Sequence, residues 1–206
     1  MSRPIPSERG RRRRRGQFVT TVAVITLVAL IGGALLGGWN ALVNTPQGQR
    51  ITGSPIIVPL ELRPVLKKAA RRCDAVPVEI LAAQMAAESS WDALAVSSAG
   101  ARGLAQFMPE VWDQYGIDGD KDGSADITNP VDAIHSAAAL NCINRKLVRN
   151  VSGNRLENTL AAYNAGYGNV VKYDGIPPFP ETQTYVQRIL TYAETIVLTD
   201  EPRASD

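Results

Sequence analysis

Residues 77–91 read Pro77-Val78-Glu79-Ile80-Leu81-Ala82-Ala83-Gln84-Met85-Ala86-Ala87-Glu88-Ser89-Ser90-Trp91, and the fold is decided here. Proline suits the first turn of a helix, where the missing N–H would have had no partner anyway. Leu81, Met85 and Glu88 follow at i, i+4 and i+7, on one face of a helix predicted to run to about Ser89. Ala82, Ala83, Ala86 and Ala87 surround them, so that face is expected to be packed. A carboxyl at the end of such a face is partly desolvated, which disfavours its charged form and raises its pKa. Glu88 is therefore a candidate general acid, its alternative being an ordinary solvated helix glutamate.

Outward from this helix the signals stay helical. A short amphipathic stretch covers 61–73, and Asn129-Pro130 offers an N-cap with proline behind it, opening a helix to about Arg149. Segments 156–164, 168–173 and 181–198 complete the set. No period-two strand stands out, so the fold class is mostly α. His135 falls mid-helix and is expected to be structural. Cys73 and Cys142 are the only cysteines. Outside the cytoplasm an even count suggests a disulfide, here joining the first helix to the Pro130 helix; the alternative is two buried thiols.

The N-terminal part has a different character. Residues 1–16 carry seven Arg against Glu8, a net of +6, so the remainder of a chain of net +2 carries −4. A mildly acidic body argues against a nucleic-acid surface. No charge occurs from Gln17 to Gln49, and Phe18 to Leu36 is almost wholly apolar, long enough to span a bilayer. Five consecutive arginines before it predict a cytoplasmic N-terminus and an extracytoplasmic body. The organisation expected is thus a basic tail (1–16), a transmembrane anchor (17–43), a Pro- and Gly-rich linker (44–60), a helical domain (61–199) and a disordered tail (200–206). Gly33 and Gly37 have the small-xxx-small spacing that lets two such helices pack.

Three short words fix the comparison with known families: Glu88-Ser89-Ser90-Trp91, Gly103-Leu104-Ala105-Gln106-Phe107-Met108-Pro109, and Ala161-Ala162-Tyr163-Asn164-Ala165-Gly166. In that order, with Gln106 18 residues after Glu88, they resemble the transglycosylase domain of the soluble lytic transglycosylase type, a lysozyme-like family that cleaves bacterial peptidoglycan. The resemblance runs from about Leu62 to Leu198. It implies a lysozyme-like domain, which here would follow the one transmembrane helix expected from the apolar run, with glycan strands of peptidoglycan as partner and no cofactor for catalysis. Glycosidases generally use two carboxylates, but none of Asp92, Glu110, Asp113, Asp174 or Glu181 has a spacing that marks it as the second. The resemblance implies one Glu used twice, as acid and then as base. The attacking group would be the C6 hydroxyl of the N-acetylmuramoyl sugar, which gives a 1,6-anhydro product.

The same resemblance assigns further roles. Ser97 would place a hydroxyl near the reacting sugar, its alternative being a turn residue. Gly103 would let the backbone approach the sugar, and Gln106 would bond substrate or orient Glu88. Ala105 stands where the family usually has Met and is expected to widen the groove. Phe107 and Met108 line the groove or fill the core. Tyr163 and Asn164 would hold the acetamido group and steady Glu88, and Tyr185 and Glu181 resemble the family's final helix motif. A separate candidate site is a structural Ca²⁺ loop. Asp118, Asp120 and Asp122 with Gly123 match the opening half of an EF-hand, although position 12 is Asn129 rather than Glu. Asp132 and the Ser124 carbonyl complete the expected ligand set, and a similar lengthened loop occurs in some membrane-bound lytic transglycosylases. The readings that compete with this one are a hydrolytic muramidase of the goose-type lysozyme kind and a non-catalytic wall-binding or scaffold protein.

Overall fold

A computed structural model describes residues 55–198. The basic tail, the expected anchor, most of the linker and the C-terminal tail lie outside the described residues. Among those described, no helix is long and apolar enough to cross a membrane.

Seven α-helices carry the domain. They are α1 (Arg63–Ala70), α2 (Val78–Ser89), α3 (Pro109–Tyr115), α4 (Pro130–Leu147), α5 (Arg155–Ala165), α6 (Tyr167–Lys172) and α7 (Pro180–Thr195). The central one is α2, buried continuously from Ile80 to Ala86, with Leu81 and Met85 fully inaccessible. It packs against α7 on one side and α1 on another, while α4 packs on α1 and α5. A helix apolar on all sides needs neighbours all round it, and this arrangement supplies them. Proline starts four of the helices at their first or second position. Asn129 caps α4 by accepting from the Val131 amide, and Asn154 caps α5 by accepting from Leu156 and Glu157.

The sequence-based helices are recovered, with differences at the ends. The first helix stops at Ala70, because a turn leads from it to Cys73. The last stops at Thr195, and Ile196–Val197 pairs in parallel with Ile56–Ile57. That short ladder pulls the end of the expected linker into the domain, where Ile56 and Val58 are buried. These β-branched residues gain more from burial and pairing than a linker would offer. Helix α3 was not foreseen, although Pro109 after Met108 is a start signal of the expected kind.

The Cys73–Cys142 disulfide is formed, with Cα atoms 6.1 Å apart. It ties the turn after α1 to α4. Closing a loop of 69 residues contributes about 4 kcal/mol in the chain-entropy model.

Candidate active site

Glu88 occupies the last turn of α2, where the apolar helix reaches an open cleft of about 500 Å³. Ser90 (φ 53°) and Trp91 (φ 72°) then reverse the chain in the left-handed region, which non-glycine residues seldom adopt. The Ser89 hydroxyl donates to the Leu104 carbonyl at 2.9 Å, pinning the helix end to the following loop. That loop is itself braced from within. Gln106 sits at φ 48°, and its Nε2 donates to the carbonyls of Gly103 (2.9 Å) and Ala95 (3.3 Å).

The cleft brings together Glu88, Ser97, Gln106, Tyr163, Asn164, Glu181 and Tyr185, residues spread over nearly a hundred positions. Seven of the eight catalytic and substrate-contact residues read from the sequence therefore share one surface. The exception is Gly103, which does not line it. A Cβ there would collide with the Ile127 carbonyl, and its φ is 75°, so the close approach seen at this glycine is to the protein's own backbone. Ala105 also needs correction. Its side chain is fully buried and does not widen the groove, and its carbonyl accepts the Tyr163 hydroxyl at 2.9 Å. Gln106 makes no bond to Glu88, since its amide holds the loop. Ser97 is a turn residue that also borders the cleft. Its Oγ accepts from the Ala101 amide at 3.0 Å in a turn, and the residue lines the cleft. Phe107 is buried, stacking edge-on against Trp112 and Tyr163 at centroid distances of 5.2 and 5.8 Å, whereas Met108 is exposed.

The electrostatics centre on Glu88. Burial pushes its carboxyl up to about 8, with a small further rise from Glu181. The Tyr185 hydroxyl, donating to Oε1 at 2.7 Å, and the Arg188 guanidinium act in the opposite direction. Desolvation wins, so the carboxyl is protonated at neutral pH. Burial and the neighbouring Glu88 charge push both tyrosine hydroxyls, Tyr163 and Tyr185, well above the phenolic range. Both therefore remain donors. Behind the cleft surface the buried Thr182 donates to Asn164 Oδ1 at 2.6 Å. Thr182, Arg188 and the Gln84 side chain, which donates to Tyr185 Oη at 3.0 Å, were not found from the sequence. Gln84 did leave a signal: it is a lone amide in an alanine-rich run, one turn before Glu88.

The acidic loop behaves differently from the expected ligand set. Asp118, Asp120 and Asp132 offer carboxylate oxygens within 4.8 Å of one another, but Asp122 is not in that group. Asp122 instead accepts from the Ser124 amide at 2.9 Å. Asp132 is completely buried in the first turn of α4 and accepts from the Gly119 (2.7 Å) and Asp126 (2.9 Å) amides. Asn129, at the loop position where an EF-hand has its glutamate, donates to Asp120 Oδ2 at 2.7 Å, holding that carboxyl below its usual range. His135 packs its ring against Gly119, where a Cβ would meet it at 2.7 Å, in keeping with a structural histidine. A second cavity of about 430 Å³ beside Cys73, lined by Lys67, Arg71 and Asp74, shares no residue with the cleft.

Comparison with known proteins points the same way as the cleft. The transglycosylase SLT domain family matches residues 65–186. A membrane-bound lytic murein transglycosylase F from Maricaulis maris is 39% identical over 94 residues, which is 45% of this chain and 19% of that protein. Among solved structures, the 70 kDa soluble lytic transglycosylase of Escherichia coli aligns with a TM-score of 0.51 at 25% identity, covering 66% of this chain and 24% of that one. The chain thus spans a quarter or less of the length of these relatives.

Proposed function

The chain belongs to the transglycosylase SLT domain family, and from that premise we propose that it is a peptidoglycan lytic transglycosylase acting through Glu88. The observation that carries the reading is a carboxyl at the edge of an apolar helix, held protonated to about pH 8 and bonded on one oxygen by Tyr185. Such a group donates a proton to the glycosidic oxygen between N-acetylmuramic acid and N-acetylglucosamine as the C1–O bond breaks. The carboxylate left behind is stabilised by the Tyr185 hydroxyl and Arg188. It then takes the proton of the muramoyl C6 hydroxyl while that oxygen closes on C1. The products are a 1,6-anhydromuramoyl end and a free N-acetylglucosamine 4-hydroxyl, and Glu88 regains its proton. Tyr163 and Asn164, facing the same space, are suited to hold the acetamido group that steadies the charged intermediate.

Glu181 supports a second reading. It is exposed, lines the cleft and acts electrostatically on Glu88. A second carboxylate in that position could activate water, as in a muramidase. Mass analysis of digests from purified peptidoglycan separates the two. Anhydromuramoyl ends that persist in Glu181→Gln support the transglycosylase, and reducing muramic acid ends alone would establish the hydrolase.

The remaining expectations become parts of the same proposal. The domain works outside the cytoplasm, tethered through segment 17–43. The disulfide belongs to an oxidising compartment, and the Maricaulis relative is by name membrane-bound. Protease digestion of intact cells and of inverted vesicles tests this orientation, since only the former should expose the domain. The acidic loop is proposed to hold one Ca²⁺ through Asp118, Asp120 and Asp132 with the Ser124 carbonyl. Each carboxylate keeps a free lone pair beside its backbone bonds, and oxygen ligands alone suit a hard cation. There the ion would supply only structural charge neutralisation.

A further inference from the structure

Two amides in the fully buried interior are connected to Glu88 without reaching the cleft. Asn141 on α4 donates through Nδ2 to Gln84 Oε1 at 2.7 Å, and Gln84 on α2 donates through Nε2 to Tyr185 Oη at 3.0 Å. Tyr185 on α7 in turn donates to Glu88 Oε1 at 2.7 Å. Gln84 and Asn141 are each inaccessible to solvent. Leucine or methionine would fill both positions without desolvating an amide, and Asn141 Oδ1 is left without a partner. A buried polar chain kept at that cost calls for a reason beyond packing.

The reason lies in direction. Asn141 occupies the oxygen of Gln84, so the Gln84 amide must present N–H to Tyr185. An N–H can only donate. The Tyr185 oxygen therefore accepts, and its single proton is left for Glu88 Oε1. We propose that Gln84 and Asn141 are positioning residues that fix the direction of the Tyr185 bond, and through it select Oε2 of Glu88 as the oxygen that carries the transferable proton. The proposal rests on Glu88 as the acid and base of the cleft.

Both half-reactions gain from this arrangement. In the first, a proton confined to Oε2 faces the glycosidic oxygen instead of being shared between two oxygens. In the second, Tyr185 steadies the carboxylate, and donation from Gln84 polarises the hydroxyl into a stronger donor. The other groups acting on Glu88 are Arg188 and Glu181 from α7 and Tyr163 from α5. The hydrogen bonds of the two amides run to one another and to Tyr185, not to these groups, so substitution at Gln84 removes no hydrogen bond from them.

The test is a double-mutant cycle in the full chain, combining Gln84→Met with Tyr185→Phe and reading Glu88 directly by carbon NMR of its carboxyl. Gln84→Met should raise the Glu88 titration midpoint by about half a pH unit and lower kcat about tenfold with KM unchanged. In the Tyr185→Phe background the same substitution should move neither. Asn141→Leu, which frees the Gln84 amide to turn, should shift the midpoint in the same direction and serves if Gln84→Met does not fold. Equal shifts in both backgrounds, or an unmoved midpoint, would overturn the proposal and leave only packing. Because the midpoint is read without turnover, a protein inactive on peptidoglycan would refute the proposed reaction while the positioning role is still decided.

Discussion

Glu88→Gln should make the protein inactive and, in alkaline solution, more stable. The unfolded chain releases the Glu88 proton near pH 4.5, whereas the folded chain holds it to about 8. Between those values folding takes up a proton, so this group lowers stability progressively as pH rises through the window, and the full cost appears above the folded value. A separation of about 3.5 pH units at 1.36 kcal/mol each gives an upper bound of about 5 kcal/mol. The residue is only partly buried and opens onto the cleft, so water screens the charge, and a cost of about 2–3 kcal/mol is the better expectation. Glutamine keeps the shape and carries no charge, which removes the cost. Thermal melts of both proteins should nearly coincide around pH 5 and separate by about 5–10 °C around pH 9, with the variant higher. Turnover should fall by at least 10²–10⁴-fold, the ordinary contribution of general acid–base help, since the same group serves both steps. A melting difference that does not change with pH would refute the desolvated carboxyl, whatever happens to activity.

Three further outcomes follow from the geometry. Replacing Cys73 and Cys142 together by serine should cost about 4 kcal/mol, seen as a lower urea midpoint with a steeper slope, because the unfolded chain without the cross-link exposes more surface. Gly103→Ala forces a Cβ into the Ile127 carbonyl at a left-handed φ. It should cost at least about 2 kcal/mol in denaturant titrations and lower kcat through displacement of the Gln106 loop. If Asp118, Asp120 and Asp132 bind calcium, the ion at about a hundredfold its Kd adds about 2.7 kcal/mol, or roughly 5–10 °C in a melt against chelator. Coincident curves would leave a purely hydrogen-bonded acidic turn.

Helix positions were legible because their signals are local. Pro77, the Asn129-Pro130 pair and the apolar periodicity of 78–89 each act within a few residues, and α2 and α4 begin where those signals put them. The ladder between Ile56–Ile57 and Ile196–Val197 was not legible, because its partners are far apart and each strand has only two residues. In the site, residue types were readable from the three words, but partners were not. Tyr185 was expected to line the cleft. That its hydroxyl donates to Glu88, 97 positions away, depends on how α7 packs against α2. Gln106 shows the converse, since its motif position suggested substrate while its amide is committed to two carbonyls of its own loop. Ala105 and Gly103 do not line the cleft, although the motif suggested a place beside the sugar. A motif records that a residue type is required without saying whether ligand or protein imposes the requirement.

The cleft can also be recognised without the motifs, from where the chain breaks its own rules. Ser90, Trp91 and Gln106 are three of the five non-glycine residues at positive φ among those described, and they surround the end of α2. Gln84 and Asn141 are fully buried amides in a core otherwise built mainly from Ala, Leu, Ile and Val, and they lead to the same carboxyl. Glu88 is an acid kept neutral at a pH where glutamates are charged. Each of these costs stability, and none improves packing. Costs of this kind persist where function requires them. The other two positive-φ residues fit the same logic as exceptions. Lys121 lies in the acidic loop, and Asp174 accepts from the Ser152 amide and hydroxyl in a surface turn, so local hydrogen bonds account for both. The other three positive-φ residues lie around Glu88. The chain turns sharply just past the carboxyl, burial in the apolar helix keeps it protonated, and the buried amides orient the hydroxyl that donates to it.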